Sequence, residues 1–181
     1  MSGASSIVEN KGLLLQRVIP KYIFPLINCQ ECIYKQLISF AVMFIALFYS
    51  GYHVSAGWWQ LLPLVIANYI LICGVALFFS VFVTAAPDFR MAIQLFMMGL
   101  MFTSGIFWDV NLIQDEYVKE LLLLVNPVAA LIDGYRQVLM YDSVFKTQYL
   151  ISVLAWGLSV GVMGLLALNY FSNQLTRKLL S

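Results

Sequence analysis

The longest uncharged stretch of this 181-residue chain runs from Gln36 to Pro87 without a single Asp, Glu, Lys or Arg. A helix crosses the hydrocarbon core of a bilayer in about 20 residues, so the stretch is longer than one crossing requires. Turn-forming Gly and Ser residues and interface-seeking Trp residues divide it between Tyr49 and Gln60. The stretch therefore predicts two membrane-spanning helices joined by a short turn.

The composition supports the same interpretation for the whole chain. Hydrophobic residues make up 62% of it and charged residues only 10%, whereas soluble domains are about half apolar and a quarter charged. A net charge of +1 gives no basic field that would attract nucleic acid. We therefore predict an all-α polytopic membrane protein with four membrane-spanning helices, at about residues 33–49, 61–83, 91–108 and 149–171.

Basic residues are distributed unequally between the two sides that four crossings define. Lys and Arg near the ends of spans are retained in the cytoplasm, so the side with more of them is predicted to be cytoplasmic. This assignment places both chain termini in the cytoplasm. The predicted cytoplasmic side holds Lys11, Arg17, Lys21, Lys35, Arg90, Arg177 and Lys178, and the other side holds Lys119, Arg136 and Lys146.

Residues 109–148, between the third and fourth predicted spans, are amphipathic where a simple loop would be polar. Tyr117, Leu121 and Leu124 recur at helical spacing. The pair Asn126-Pro127 ends that helix and begins another, because Asn caps free amides and Pro suits the first helical position. Two helices this short cannot span a bilayer, so we predict a paired, re-entrant segment that dips into the outer leaflet or lies on it. The apolar face of the second helix comprises Val128, Leu131, Ile132, Tyr135 and Leu139.

Small residues mark one face of the last predicted span. Gly157 and Gly161 form a Gly-x-x-x-Gly pattern that Gly164 continues. Such a face allows another helix to approach closely. The pattern predicts helix packing, either within the chain or between subunits.

The first 35 residues form a predicted cytoplasmic segment, and residues 36–181 form the predicted transmembrane domain. Pro20 and Pro25 are expected to prevent a long helix in the first segment. The segment is basic and also contains several leucines. These properties suit a membrane-surface anchor and a docking site for a protein partner equally well.

The chain lacks the motifs of an enzyme. It has no Gly-x-x-x-x-Gly-Lys-Ser/Thr phosphate loop and no His-Glu-x-x-His metal motif, and His53 is its only histidine. Cys29 and Cys32 form a Cys-x-x-Cys pair without the further ligands that a zinc site needs. We therefore predict no catalytic residue, no cofactor and no metal, and no nucleic acid as partner.

Three short motifs and their order point to a known family. Phe24-Pro25 precedes the first two spans, Pro87-Asp88-Phe89-Arg90 separates the second span from the third, and the stretch Asn126–Arg136 has the sequence NPVAALIDGYR. With the final span, this order resembles the permease subunit of type 2 ABC exporters. More narrowly, it resembles the bacterial permeases that export polysaccharides, namely O-antigen, capsule or teichoic acid.

The resemblance implies a mechanism and a set of candidate residues. Two permease copies, a homodimer, would form a conduit for a lipid-linked glycan in the bacterial cytoplasmic (inner) membrane, and a separate ABC ATPase subunit would hydrolyse ATP. The segment Ser6–Leu14 resembles the coupling segment that docks into the ATPase. The implied ATPase contacts are Asn10, Arg17 and Lys21, and the implied residues of the extracytoplasmic motif are Asn126, Pro127, Asp133, Tyr135 and Arg136.

Two interpretations of Asp133 and Arg136 are open. By the resemblance, they would organise the outer mouth of the conduit. Their spacing also places them on neighbouring turns of one helix, where the two charges would neutralise each other.

The chain departs from the family pattern in two respects. Members usually carry an interfacial helix and two more spans before the coupling segment, so the chain resembles the C-terminal two thirds of a permease. Pro87 stands where members often have an arginine. One alternative is therefore a truncated permease that does not transport and acts only through interactions. Another is an ABC exporter of a drug or a lipid.

Overall fold

The fold is entirely helical in the part of the chain that the structure describes. This computed structural model describes residues 5, 22–53 and 55–170, and within them it contains six α-helices and no β-strand. Two short 3-10 turns lie at Ala56–Gln60 and Val110–Leu112. The prediction of an all-α polytopic membrane protein is confirmed. The helices are α1 Ile23–Tyr49, α2 Leu61–Ala85, α3 Phe89–Thr103, α4 Glu116–Val125, α5 Pro127–Leu139 and α6 Thr147–Tyr170.

Three described stretches are long and apolar enough to cross a membrane: α1, Gly57–Ala85 and α6. The fourth apolar helix, α3, has only 15 residues, fewer than the about 20 that a full crossing takes. The predicted third span, 91–108, was too long at its C-terminal end. The helix stops at Thr103, and Gly105 then adopts a φ of 75°, a left-handed conformation that only glycine adopts easily.

The first helix begins earlier than the predicted span. It is 27 residues long and includes Phe24 and Pro25. The expectation that Pro25 prevents a long helix was wrong, because Pro25 lies in the first turn. Amide hydrogens there have no partner within the helix, so the missing N–H of proline removes no bond.

The described chain divides into two compact units. The first unit comprises Ile70–Phe96 together with the described residues up to Tyr34 and from Gly157 onward. The second unit comprises Lys35–Tyr69 and Met97–Trp156. The boundary between the units falls within α1, α2, α3 and α6.

In the first unit, α2 and α6 approach closely through glycines. A Cβ atom built on Gly74 would lie 2.2 Å from the carbonyl oxygen of Gly157. One built on Gly157 would lie 3.0 Å from the backbone of Leu71, and one on Gly164 would lie 2.6 Å from the amide nitrogen of Phe78. The glycine face of α6 therefore contacts α2 within this chain.

The apolar core of the first unit joins the start of α1 to the same helix pair. Phe24 packs with Leu77 and Val81 of α2 and with Leu168 of α6, and all four side chains are buried. On the next turns of α1, the Sγ atom of Cys29 lies 4.0 Å from the carbonyl oxygen of Ile72. The early start of α1 thus gives it a buried apolar contact.

In the second unit, α5 is the most deeply buried helix. It packs against α4 and against the 3-10 turn Ala56–Gln60. The side chain of Gln60 accepts a hydrogen bond of 3.0 Å from the amide of Phe145. Gly134 lets α5 approach closely, because a Cβ atom there would lie 2.9 Å from Leu64.

Candidate functional site

The helical hairpin, α4 and α5 with Asn126 between them, carries most of the predicted site residues. Asp115 caps the start of α4 by accepting hydrogen bonds from the amides of Tyr117 and Val118. Asn126 caps α5 in the same way, and Pro127 takes the first helical position. Both helices therefore begin with side chains that satisfy otherwise unpaired amides.

The two helices of the hairpin differ greatly in burial. In α5, seven residues are buried, including Asp133 and Leu131. In α4, Leu123 alone is buried. The stripe of Tyr117, Leu121 and Leu124 that predicted this helix is exposed. It is therefore available to lipid or to another protein surface.

Asp133 is completely buried and anchors a polar network. Its carboxylate accepts hydrogen bonds from the side-chain amides of Asn111, at 3.2 Å, and Gln137. Burial raises the pKa of Asp133, although these two hydrogen bonds and the charge of Lys119 act in the opposite direction.

Asn111 connects that carboxylate to the loop before α4. Its side-chain amide also donates to Asp109, at 2.9 Å, and its side-chain oxygen accepts from Lys119, at 2.7 Å. The side-chain nitrogen of Asn111 thus donates two hydrogen bonds and its side-chain oxygen accepts one, which fixes the orientation of the amide group. The loop that follows α3 is thereby tied to both helices of the hairpin.

Asp109 is the second carboxylate of the network. Its oxygens accept hydrogen bonds from the backbone and side chain of Asn111 and from the hydroxyl of Tyr141, the last at 2.8 Å. Partial burial would raise its pKa, but these hydrogen bonds and the charge of Arg136 outweigh burial and lower it. The pKa values of the two carboxyl groups are therefore shifted in opposite directions, that of Asp109 downward and that of Asp133 upward.

Arg136 holds the same loop by binding backbone carbonyl groups of the loop. Its guanidinium donates to the carbonyl oxygens of Trp108, at 2.9 Å, and Ile106, at 3.2 Å. Asp133 and Arg136 therefore bind different partners in this structure. The interpretation that the two charges neutralise each other does not describe the observed contacts.

Tyr135 has a different environment from its neighbours. Its ring meets Phe40 of α1 edge to face, with 5.7 Å between ring centroids. Its hydroxyl is buried and has no hydrogen-bond partner among the described residues. Burial raises the pKa of this phenol to about 12. Tyr135 therefore contributes apolar packing between α5 and α1.

The remaining predicted residues lie elsewhere. Asn10, Arg17 and Lys21 fall outside the described residues. Gly157, Gly161 and Gly164 belong to the first unit, where they contact α2.

Several residues of this site were missed by the sequence reasoning. Asp109-x-Asn111 carries a local signal, because an Asp side chain often accepts from the amide two residues later. The contact of Gln137 with Asp133 also carries a local signal, because the two residues lie four positions apart on α5. The contact of Lys119 with Asn111 carries no such signal. Nor do the hydrogen bonds between Asn126 and Ser104 and those from Ser152 and Trp156 to the carbonyl of Leu124, which join residues 22 to 32 positions apart.

The polar groups of this site mainly hold its own elements together. The described residues contain no group of three or more His, Cys, Asp or Glu side chains arranged to hold a metal ion. The polar groups bind one another and the backbone, which gives the hairpin and its loop one defined shape.

A comparison with protein families places this arrangement in context. The family model of the ABC-2 type transporter matches residues 19–140, well over half of the chain. The chain belongs to the ABC-2 type transporter family. No curated protein matches the chain significantly.

In this ABC-2 type protein, the matched region contains α1, α2, α3 and both helices of the hairpin. An ABC-2 membrane domain is the permease part of an ABC exporter, a transport component rather than a catalytic one. Membership therefore implies a multi-pass membrane setting and an ATPase partner.

Proposed function

We propose that this ABC-2 permease exports a lipid-linked polysaccharide across the bacterial cytoplasmic membrane. The observation that carries the proposal is the motif Asn126–Arg136, which falls inside the family match and forms one capped helix with a buried Asp133. This stretch resembles the extracytoplasmic motif of the polysaccharide exporters. Three of its polar members, Asn126, Asp133 and Arg136, are used in a hydrogen-bonded frame that gives the hairpin and its loop a defined shape.

The energy for export comes from a separate ATPase subunit under this proposal. Asn10, Arg17 and Lys21 are the candidate contacts with that subunit. Two copies of the permease form the conduit, with both chain termini in the cytoplasm. The excess of basic residues on the side of the termini supports this orientation.

The hairpin then lies on the outer side of the membrane. Arg136 and Asp133 organise the mouth indirectly, because each fixes the loop 104–112 rather than facing a ligand. The exposed apolar stripe of α4 suits contact with lipid at this depth.

Deletion of the gene tests the substrate class. If the protein exports a glycan, the deletion strain loses the polysaccharide from its surface and accumulates it on carrier lipid inside the cell, and a plasmid copy restores export. A matched plasmid that expresses the ATPase alone serves as the control. Intact surface glycan in the deletion strain would contradict the proposal and would leave an exporter of a drug or a lipid, or a permease without transport.

A further inference from the structure

The carbonyl oxygen of Leu124 accepts two hydrogen bonds from a distant helix. Carbonyl groups in the last turn of a helix have no partner within it. In α4 that position is Leu124, and its oxygen accepts from the hydroxyl of Ser152, at 2.8 Å, and from the indole N–H of Trp156, at 3.1 Å. The two donors lie four residues apart and so share one face of α6. We call this pair of bonds the Leu124 contact.

Apart from its packing against α5, α4 has few other attachments within the second unit. Leu123 is its one buried residue, while the large apolar side chains on its other faces point out of the protein and do not fix it. Lys119 adds a single hydrogen bond, to Asn111. The hydrogen bonds of Lys119 and of the Leu124 carbonyl therefore add to the packing against α5 in setting the position of α4.

The residue after α4 is fixed much more firmly. The side-chain oxygen of Asn126 accepts from the amides of Val128 and Ala129, at 3.1 and 3.2 Å. Its amide group donates to the hydroxyl of Ser104, at 3.1 Å. Asn126 is also buried, as is most of α5. The chain therefore passes from a weakly attached helix to a firmly attached one at a single residue.

We infer that Ser152 and Trp156 are positioning residues that hold α4 against α6, and that their release lets α4 swing about Asn126 while α5 stays in place. The transport role of this movement rests on the proposed function. In that role the Leu124 contact transmits a shift of α6 to the exposed helix of the hairpin.

Hydrogen exchange tests the inference without any substrate. The double variant Ser152→Ala with Trp156→Phe removes both donors and keeps the indole site filled by an aromatic ring. In the purified permease–ATPase complex, we expect roughly tenfold faster amide exchange in Glu116–Val125 and unchanged exchange in Pro127–Leu139. Ser152→Thr keeps a hydroxyl donor, and Trp59→Phe changes an exposed tryptophan with no part in the contact. Both controls should exchange as the natural protein does.

Two results would overturn the inference. One is unchanged exchange in α4 of the double variant. The other is faster exchange in α4 and α5 together, which would show that the hairpin loosens as one body.

A transport assay distinguishes a positioning role of Ser152 and Trp156 from a general contribution to stability. In vesicles that contain the complex and a lipid-linked glycan, the double variant should move less glycan per ATP hydrolysed, about threefold or more, and Ser152→Thr should restore the ratio. An equal fall in hydrolysis and transport would contradict the positioning role. If the natural complex moves no glycan, the proposed function fails, while the exchange result still decides whether the Leu124 contact holds α4.

Discussion

The substitution Gly74→Ala is expected to destabilise the protein by about 3 kcal/mol, at the upper end of the usual cost of overpacking a core. The new Cβ atom would lie 2.2 Å from the carbonyl oxygen of Gly157 and 3.1 Å from the amide nitrogen of Gly161. Both are backbone atoms of α6, which cannot turn aside as a side chain can. Separating the helices would also open the contacts of Gly157 and Gly164 with α2. Thermal unfolding in detergent should show an apparent Tm lower by roughly 10 °C.

Gly99 provides the matched control for this substitution. It also lies within a helix, α3, but nothing lies within 4 Å of a Cβ atom built there. Alanine has the higher helix propensity, by up to about 1 kcal/mol, so Gly99→Ala should leave the apparent Tm unchanged or raise it slightly. Equal behaviour of the two variants would show that α2 and α6 are not in close contact at Gly74.

Replacing Asn126 by alanine should have the next largest effect, a loss of about 2 kcal/mol in the free energy of unfolding. The change removes the cap of α5, which contributes about 1 kcal/mol, and the buried hydrogen bond to Ser104. Asn126→Ser separates these contributions, because serine can cap the helix but is too short to reach Ser104. It should lose about half as much, as measured by the same thermal unfolding.

The cap of α4 gives the comparison for Asn126. Asp115 is exposed and caps its helix without a second buried partner. Asp115→Ala should therefore cost about 1 kcal/mol. If Asn126→Ala cost no more than Asp115→Ala, the bond to Ser104 would contribute nothing to the hairpin.

The sequence predicted those parts of the fold that depend on local signals. Asn126-Pro127 marked the start of α5 because a cap and a fixed φ act within a few residues. The glycines of α6 marked a close helix contact because the absence of side chains is itself the signal. The charged positions marked the C-terminal end of α2 and the start of α6 to within a few residues, since charge is costly inside a bilayer.

Other features depend on partners that a single sequence does not pair. The early start of α1 at Ile23 reflects the packing of Phe24 against Leu77 and Leu168. The end of α3 at Thr103 depends on the left-handed turn at Gly105. Periodicity showed that α4 is amphipathic but not that its apolar stripe is the exposed side, because a lipid-facing stripe and a buried one have the same spacing.

The candidate site likewise combines features that local signals predict with features that depend on distant partners. Asp133 and Arg136 stood out as charges in an apolar context, and their spacing suggested a pair. The observed partners are Asn111 and Gln137 for the carboxylate, and the backbone of Ile106 and Trp108 for the guanidinium. The loop folds back to bring most of these groups together, so tertiary structure decides between contacts that spacing alone allows.

Under the proposed function, this ABC-2 permease and its ATPase move a glycan. The most direct test is ATP hydrolysis by the purified complex in lipid vesicles, measured with and without a lipid-linked polysaccharide. If the protein exports a glycan, we expect the glycan to raise the hydrolysis rate several-fold, the permease alone to hydrolyse no ATP, and a carrier lipid without sugar to have little effect. A hydrolysis rate that does not respond to the glycan, in a complex that is active and correctly inserted, would contradict glycan export by this protein.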